Sequence, residues 1–201
     1  MFYEVAAGHG LPHDPFKALV APRPVGWIST ISARGEVNLS PYSFFNALSD
    51  RPHIVGFSSD GMKDALAFAQ ETGEFVFNLA SYELREAMNA TSAPLPRGTS
   101  ELDHAGLTPA PCRLVRPPRV AQAPAALECR YLKTVALEPL EGEARYFLVL
   151  GQVVGIHIDD RFITDGLVDT AAMRPIARGG YHDYFVATPE TRFSIRRPPG
   201  G

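Results

Sequence analysis

The strongest constraint on the fold is a pair of long alternating segments in the second half of the chain. Residues 127–137 place apolar side chains at alternating positions, and residues 145–158 return along them after the glycine turn at 141–143. This pattern is typical of two half-buried strands joined as an antiparallel hairpin. Gly151 and Gly155 inside the second segment predict β-bulges or barrel bends. The hairpin favours an antiparallel β fold. The sequence lacks a repeated strand–helix–strand pattern, which argues against a Rossmann fold.

Further strands are predicted at 25–32, 37–39, 42–48, 53–58, 75–79 and 184–187. Gly35 lies in the turn between the first two of these strands, where a hairpin needs a positive φ. Pro41 indicates an edge, a bulge or a bend, because proline has no N–H to donate to a sheet. We expect residues 184–187 to close the sheet. The predicted fold class is therefore mainly β with peripheral helices, arranged as a Greek-key antiparallel barrel.

Two helices accompany the strands. Met62, Ala65, Leu66 and Ala69 are spaced i, i+3, i+4, i+7, which predicts a helix that begins in a cap region at 58–61 and ends near Gly73. A second short helix is expected from a Ser81 cap through Met88.

Prolines change the character of the chain between residues 92 and 124, which we call the Pro-rich segment. Their density excludes long regular elements there, and a loop of this length is usually functional or clasps a partner subunit. The whole chain, residues 1–201, is expected to form one domain with its barrel core at 16–90 and 125–187. The tail at 196–201 is expected to be frayed.

Composition excludes several classes of function. The net charge of −3 comes from interspersed signs, so no basic face predicts nucleic-acid binding. No apolar run approaches the ~20 residues of a membrane span, and the N-terminus has no secretory pattern. Cys112 and Cys129 are far apart, which favours free thiols in a reducing cytoplasm. Neither cysteine nor any of the six histidines has metal-ligand spacing, so no metal site is predicted.

The residues around the start of the first predicted helix predict an anion-binding site. Backbone N–H groups at a helix N-terminus bind phosphate well, and Lys63 is expected in the first turn, where the helix dipole disfavours a cation unless an anion offsets it. A solvated surface lysine is the alternative. Phe44, Phe45 and Trp27 would suit a groove for a flat heteroaromatic ring, although two of the three are expected to be core.

Four ordered segments, 23–30, 38–47, 58–64 and 178–184, together resemble the flavin reductase-like family of FMN-binding split β-barrels, especially its DIM6/NTAB-type branch. The resemblance extends over roughly residues 16–187. It implies a homodimer that binds FMN near the subunit interface and uses NADH or NADPH as co-substrate. It further implies a flavin reductase in which the cofactor supplies the chemistry, without a catalytic side chain.

The resemblance also implies which residues bind the cofactor. Residues matching the family strand at the isoalloxazine edge are Ser43, Phe44, Phe45, Asn46 and Ala47. Those near the ribityl chain and phosphate are Ser29 and Thr30, and those that receive the phosphate are Ser58, Ser59, Lys63 and Asp64. Arg178 matches a late basic residue near the cofactor, with Tyr184 as its neighbour. Backbone N–H groups near Asn46 and Ala47 are expected to stabilise negative charge on the flavin.

Alternatives remain at this level. Phe44-Phe45-Asn46 is bulkier than the small residues of the shorter two-component reductases, which leaves the electron donor, the acceptor and a partner monooxygenase open. A non-catalytic FMN carrier is one alternative. A split barrel that binds haem or a deazaflavin is another, with His157 or His182 as the haem ligand. A relative of pyridoxamine phosphate oxidase is the third, although the motifs resemble the reductases more.

Overall fold

The computed structural model describes residues 1–96 and 99–198, and strands dominate this part of the chain. The strands are β1 (Arg23–Pro24), β2 (Gly26–Ile31), β3 (Val37–Tyr42), β4 (Phe45–Asp50), β5 (His53–Asp60), β6 (Glu74–Leu79), β7 (Pro109–Ala110), β8 (Arg119–Val120), β9 (Ala125–Ala136), β10 (Tyr146–Ile158), β11 (Ile163–Thr164), β12 (Leu167–Val168), β13 (Ile176–Arg178) and β14 (Tyr184–Val186). The α-helices are α1 (Phe16–Leu19), α2 (Asp64–Thr72), α3 (Arg85–Ala90) and α4 (Glu101–His104). Short 3₁₀ turns lie at Val5–Ala7, Tyr82–Leu84, Asp160–Phe162 and Pro189–Thr191.

The main sheet has seven antiparallel strands in the order β3-β2-β6-β9-β10-β5-β4. Its two ends do not pair as a ladder, so the barrel is split, and the predicted mainly β fold is confirmed. The register between β9 and β10 shifts at Gly151 and again at Gly155, which confirms the expected bulges. A Cβ on Gly151 would lie 2.2 Å from the ring of Phe75, so the backbone at this bulge approaches the core closely.

The prediction that residues 184–187 close the sheet is wrong. β14 instead pairs with β13, and β13 pairs with β1, forming a separate three-stranded sheet. In this sheet Arg23 lies opposite Arg178, and Arg178 lies opposite Tyr184. A run of only three residues carries too little periodicity to show which sheet it joins.

Pro41 does not end its strand, because β3 continues through it to Tyr42. β3 is an edge strand, where a missing N–H costs no ladder hydrogen bond, so the edge interpretation is confirmed. The predicted start of the first helix is wrong. β5 runs on to Asp60, which pairs with Tyr146, and Gly61 turns the chain at φ +80°. α2 then begins at Asp64 and ends at Thr72 with Gly73 as its C-cap, which confirms the predicted end near Gly73.

The second predicted helix is a 3₁₀ turn followed by α3. Ser81 occupies the N-cap position, but its side chain makes no capping hydrogen bond, and the helix extends past Met88 to Ala90. The Pro-rich segment contains only α4 and the two-residue strands β7 and β8, which confirms that long elements are excluded. Residues 97–98 of this segment and residues 199–201 of the expected frayed tail lie outside the described residues.

Two main apolar clusters form the core on either side of β2. Trp27 packs with Leu39 and Val120 in one cluster, whereas its neighbour Ile28 packs with Phe57 and residues of α2 in the other. Successive side chains of a strand point to opposite faces, so one strand serves both clusters. Within the described residues, no helix is long and apolar enough to cross a membrane.

Candidate functional site

A cavity of about 630 Å³, which we call the α2 cavity, lies where the start of α2 meets the β3–β4 connection and the Pro-rich segment. Its volume is in the range of sites that enclose a small organic ligand. Five residues predicted to bind the cofactor line it together: Ser43, Phe44, Ser58, Lys63 and Asp64. Residues separated by up to 21 positions in the sequence therefore converge on one cavity.

The start of α2 forms one end of this cavity. Lys63 is the N-cap residue with extended backbone, one position before the helix, and no side chain caps the helix in the described structure. The first N–H groups of a helix have no intrahelical partner, so they are available to an anion beside the Lys63 ammonium. Asp60 also lines the cavity, but its carboxylate is paired with Arg145 at 2.6 and 2.9 Å. The hydrogen bond from Arg145 holds the pKa of Asp60 below its usual range.

Ser58 supplies a buried polar group that the described residues leave without a partner. Its backbone N–H donates to the carbonyl of Phe44 at 2.8 Å, but its Oγ is buried without a hydrogen bond. Buried hydroxyls are normally paired, so an orphan on a cavity wall indicates a ligand with a complementary polar atom. An unpartnered hydroxyl beside this cavity is compatible with a polar ligand.

Two aromatic side chains form an apolar part of the same wall. Phe44 meets Tyr146 edge to face with ring centroids 6.1 Å apart, and Tyr42 packs against Phe57 at 4.7 Å. Burial raises the pKa of the Tyr42 phenol to about 12, so it is a neutral hydrogen-bond donor at physiological pH. A flat ring would find apolar contact and a neutral donor side by side here.

The Pro-rich segment completes the cavity. Residues 92–95 and Glu101 contribute to its wall. The Glu101 carboxylate accepts hydrogen bonds from Asn38 Nδ2 at 3.1 Å and from the backbone N–H of Leu39 at 3.2 Å, which ties α4 to β3. Part of this segment therefore contributes to the wall of the α2 cavity.

A second recess of about 590 Å³ adjoins the α2 cavity, and we call it the Arg23 recess. Ser43 and Lys17 line both spaces. Arg178 and Tyr184 lie in this recess rather than at the Lys63 end, with the Arg178 guanidinium 4.6 Å from the Tyr184 ring centroid.

The remaining predicted residues do not line the α2 cavity. Ser29 is buried, and its hydroxyl donates to the carbonyl of Pro118 at 2.6 Å. Thr30 is fully buried, and its hydroxyl has no partner among the described residues. Ser59 Oγ donates to the carbonyl of Gly61 at 2.8 Å.

The strand residues that follow Phe44 also lie away from the cavity. The half-buried Phe45 stacks on Phe77 with ring centroids 4.6 Å apart, while Trp27 is fully buried. Asn46 and Ala47 are exposed on β4, and the Asn46 Oδ1 accepts the Ala47 N–H at 2.9 Å. That N–H is therefore already engaged locally, so a ligand would compete with the Asn46 side chain for it.

A separate polar cluster surrounds Glu128, which is 1% exposed. Its carboxylate accepts from three consecutive backbone N–H groups at 113–115 and contacts His157 Nε2 at 2.5 Å. Burial acts to raise the pKa of Glu128, but the backbone hydrogen bonds and His157 more than offset it, so the pKa lies below its usual value. One ligand atom of Cys112 lies within 4.8 Å of both groups, and burial raises the thiol pKa to about 12.

This cluster contains His157, which the haem alternative names as a ligand, together with two other side chains that could ligate a metal. His157 Nε2 is occupied by Glu128, and the carboxylate is already saturated by backbone donors. Such full satisfaction is typical of a structural polar cluster. His182 lies elsewhere, in a cavity of about 400 Å³ that it shares with Arg178 and Tyr184.

Sequence reasoning missed several residues of the site. Arg23, Lys17, Tyr42, Glu101 and Asn38 line the two spaces. Asn38 was visible as a polar residue in a strand, and Arg23 opened the motif at 23–30, but neither pattern shows which space a side chain reaches.

An open antiparallel barrel with a polar cavity at a helix start defines a split-barrel protein. The model of the flavin reductase-like domain matches residues 19–174, and the chain belongs to that family. An uncharacterised protein of Halalkalibacterium halodurans is 36% identical over 184 residues, which cover 89% of this chain and 87% of that protein.

Two solved structures are similar over nearly the whole chain. Nitrilotriacetate monooxygenase component B from Bacillus cereus is 28% identical with a TM-score of 0.87, covering 97% of this chain and 98% of that chain. The 2-nitrobenzoate 2-nitroreductase NbaA from Pseudomonas fluorescens is 25% identical with a TM-score of 0.79, covering 92% of each chain.

Proposed function

We propose that the chain is an NAD(P)H-dependent flavin reductase that binds FMN in the α2 cavity. The observation that supports this most is the orphan hydroxyl of Ser58, which lies on the cavity wall that also carries Lys63. Membership of the flavin reductase-like family agrees with this ligand. When bound, FMN supplies the redox chemistry: one hydride from NAD(P)H and one proton convert it to reduced flavin and leave NAD(P)⁺.

The residues of the α2 cavity hold and orient the cofactor in this proposal. The Lys63 ammonium and the free N–H groups of α2 bind the phosphate. Ser58 and Asp64 bind the polar chain between phosphate and ring, and Phe44 contacts the ring. Tyr42 donates a hydrogen bond from its neutral phenol, and the Pro-rich segment shields the cavity from water.

The wider biological setting is also a proposal. We infer a homodimer, because Leu132 and Val135 of β9 and Val154 and Ile156 of β10 are exposed apolar side chains. We infer a cytoplasmic location from the free thiols of the two cysteines. We infer a partner monooxygenase that uses the reduced flavin, since a similar structure is the B component of a monooxygenase. Light scattering of the purified protein tests the dimer, and a monomer at micromolar concentration would contradict it.

The reductase is tested by recording the visible spectrum of the purified protein and then adding NADH and NADPH in turn without oxygen. We expect a flavin band near 450 nm, a rough property of the chromophore, to bleach rapidly with one nucleotide. A flavin band that persists with both would contradict the reductase and favour an FMN carrier. A protein that neither carries nor binds FMN would contradict the whole site, and a band near 400 nm, also a rough expectation, would indicate haem.

A further inference from the structure

The Arg23 recess contains a buried cation without a carboxylate partner. Arg23 is 7% exposed, and its guanidinium donates only to backbone carbonyls: those of Lys17 at 2.6 Å, Gly179 at 3.0 Å, Ser43 at 3.2 Å and Val20. Among the described residues no salt bridge reaches it. Burying a charge without a counter-ion is costly, so an anion in this recess would stabilise the arrangement.

A second guanidinium increases this imbalance. The three-stranded sheet places Arg178 directly opposite Arg23, and burial together with the charge of Arg178 lowers the pKa of Arg23. Lys17 adds a third cation to the lining. Asp14 is the one carboxylate there among the described residues, and its Oδ1 accepts the N–H of Phe16 at 2.9 Å. The recess therefore carries two more basic than acidic groups, before any contribution from His13.

The recess communicates directly with the α2 cavity. Ser43 and Pro41 line both spaces, and the Arg23 guanidinium lies 5.6 Å from the centroid of the Phe44 ring, which belongs to the α2 cavity. A molecule that contacts a flavin beside Phe44 could extend a charged group into the recess. Lys63 lines only the α2 cavity and Arg178 lines only the recess of the two, whereas Lys17 lines both spaces.

We propose that the Arg23 recess is the subsite for the pyrophosphate of the nicotinamide nucleotide that reduces the flavin. Its two negative charges match the excess of two positive charges, and planar guanidinium groups bind phosphate oxygens well. The proposal rests on the proposed reductase function. Arg178 and Lys17 are then specificity-determining residues for a phosphate-bearing reductant, and Arg23 positions the recess by holding three segments of backbone together.

The test compares two reductants in R178Q, K17Q and the wild type. One reductant is NADH or NADPH, whichever bleaches the flavin, and the other is N-benzyl-1,4-dihydronicotinamide, which has the reactive ring without phosphate. We expect R178Q to raise the KM for the nucleotide about tenfold, equivalent to about 1.4 kcal/mol, with kcat nearly unchanged. K17Q should raise it less, because Lys17 is exposed. The KM for the benzyl compound should not change in R178Q, because Arg178 does not line the α2 cavity.

Arg34 provides the matched control, because it is exposed in the β2–β3 turn and lines neither space. R34Q should leave both KM values unchanged. An unchanged nucleotide KM in R178Q, or an equal rise for both reductants, would overturn the proposal. A loss of FMN affinity in R178Q as large as that in K63Q would also overturn it, because the recess would then belong to the flavin site.

A second readout needs no turnover. Inorganic pyrophosphate is titrated calorimetrically into FMN-loaded wild type and R178Q, and we expect about tenfold weaker binding in the variant, the same difference of about 1.4 kcal/mol. Absence of binding to the wild type, or equal binding to both proteins, would overturn the subsite. If neither reductant bleaches the flavin while pyrophosphate binds through Arg178, the reductase proposal fails but the anion subsite stands.

Discussion

Two regions of the molecule contain buried polar groups, and they differ in whether protein partners compensate those groups. Glu128 accepts from three backbone N–H groups and His157, so its charge is fully compensated inside the protein. Arg23 and the hydroxyl of Ser58 are also buried, yet among the described residues Arg23 has no carboxylate partner and the hydroxyl has no hydrogen bond. The first pattern is typical of architecture, whereas the second indicates a place that a ligand completes.

The same contrast divides the Pro-rich segment. Residues 113–116 are fixed by buried carboxylates of the barrel, since Glu128 and Glu74 accept their backbone N–H groups. Residues 92–95 instead form part of the α2 cavity wall. One half of the segment is therefore a structural clasp, and the other half shapes the site.

The largest expected effect is the loss of stability in E128Q. The amide cannot accept all four hydrogen bonds and removes the charge, so the free energy of unfolding should fall by about 3 kcal/mol, as for other broken buried ion networks. Urea denaturation measures this, with E138Q as control because Glu138 is exposed. FMN affinity of the folded variant should stay within about twofold. If E128Q kept its stability but bound FMN more weakly, Glu128 would belong to the ligand site and not to the structural cluster.

A smaller effect is expected on the ligand side from S58A. Removing a hydroxyl that has no protein partner should leave the free energy of unfolding within about 0.5 kcal/mol of the wild type. FMN should bind about fivefold more weakly, because one hydrogen bond contributes about 1 kcal/mol. Fluorescence titration with FMN measures this, and S194A on the exposed tail is the control. Destabilisation without any change in FMN affinity would show that Ser58 is structural.

The smallest expected effect is a pH dependence that separates wild type from E128Q. Because the pKa of folded Glu128 is depressed, its ionised form stabilises the fold above the usual value of 4.5, and this stabilisation is lost as the pH falls through the folded pKa. The difference in unfolding free energy between the two proteins should therefore narrow as the pH falls below 4.5. A difference that stays constant down to the acid transition would contradict the charged state of Glu128.

The elements with a clear local periodicity of apolar residues could be predicted from the sequence. Alternation and the bulge glycines Gly151 and Gly155 predicted the β9–β10 hairpin. The ordered motifs grouped Ser43, Ser58 and Lys63, which line one cavity in the structure. The β14 pairing could not be predicted, because three residues carry almost no periodic information.

The Arg23 recess and the polar cluster around Glu128 could not be predicted from the sequence for a different reason. Arg23 meets Arg178 across 155 positions, and Glu128 meets His157 from a neighbouring strand. Within β9, Glu128 lies at a position that the alternation predicts to face solvent. In the structure the Pro-rich segment covers it, and the N–H of Leu114 donates to its carboxylate. Such contacts depend on tertiary packing, which local spacing does not specify.

The central claim, that the α2 cavity binds flavin through its phosphate, is tested most directly by titrating FMN and riboflavin into wild type and K63Q. We predict that wild type binds FMN at least about tenfold more tightly than riboflavin, a difference of about 1.4 kcal/mol. K63Q should lose most of this difference while its riboflavin affinity is unchanged, and R34Q should behave as wild type. Equal affinity of wild type for both flavins, or an unaltered FMN affinity in K63Q, would contradict the account.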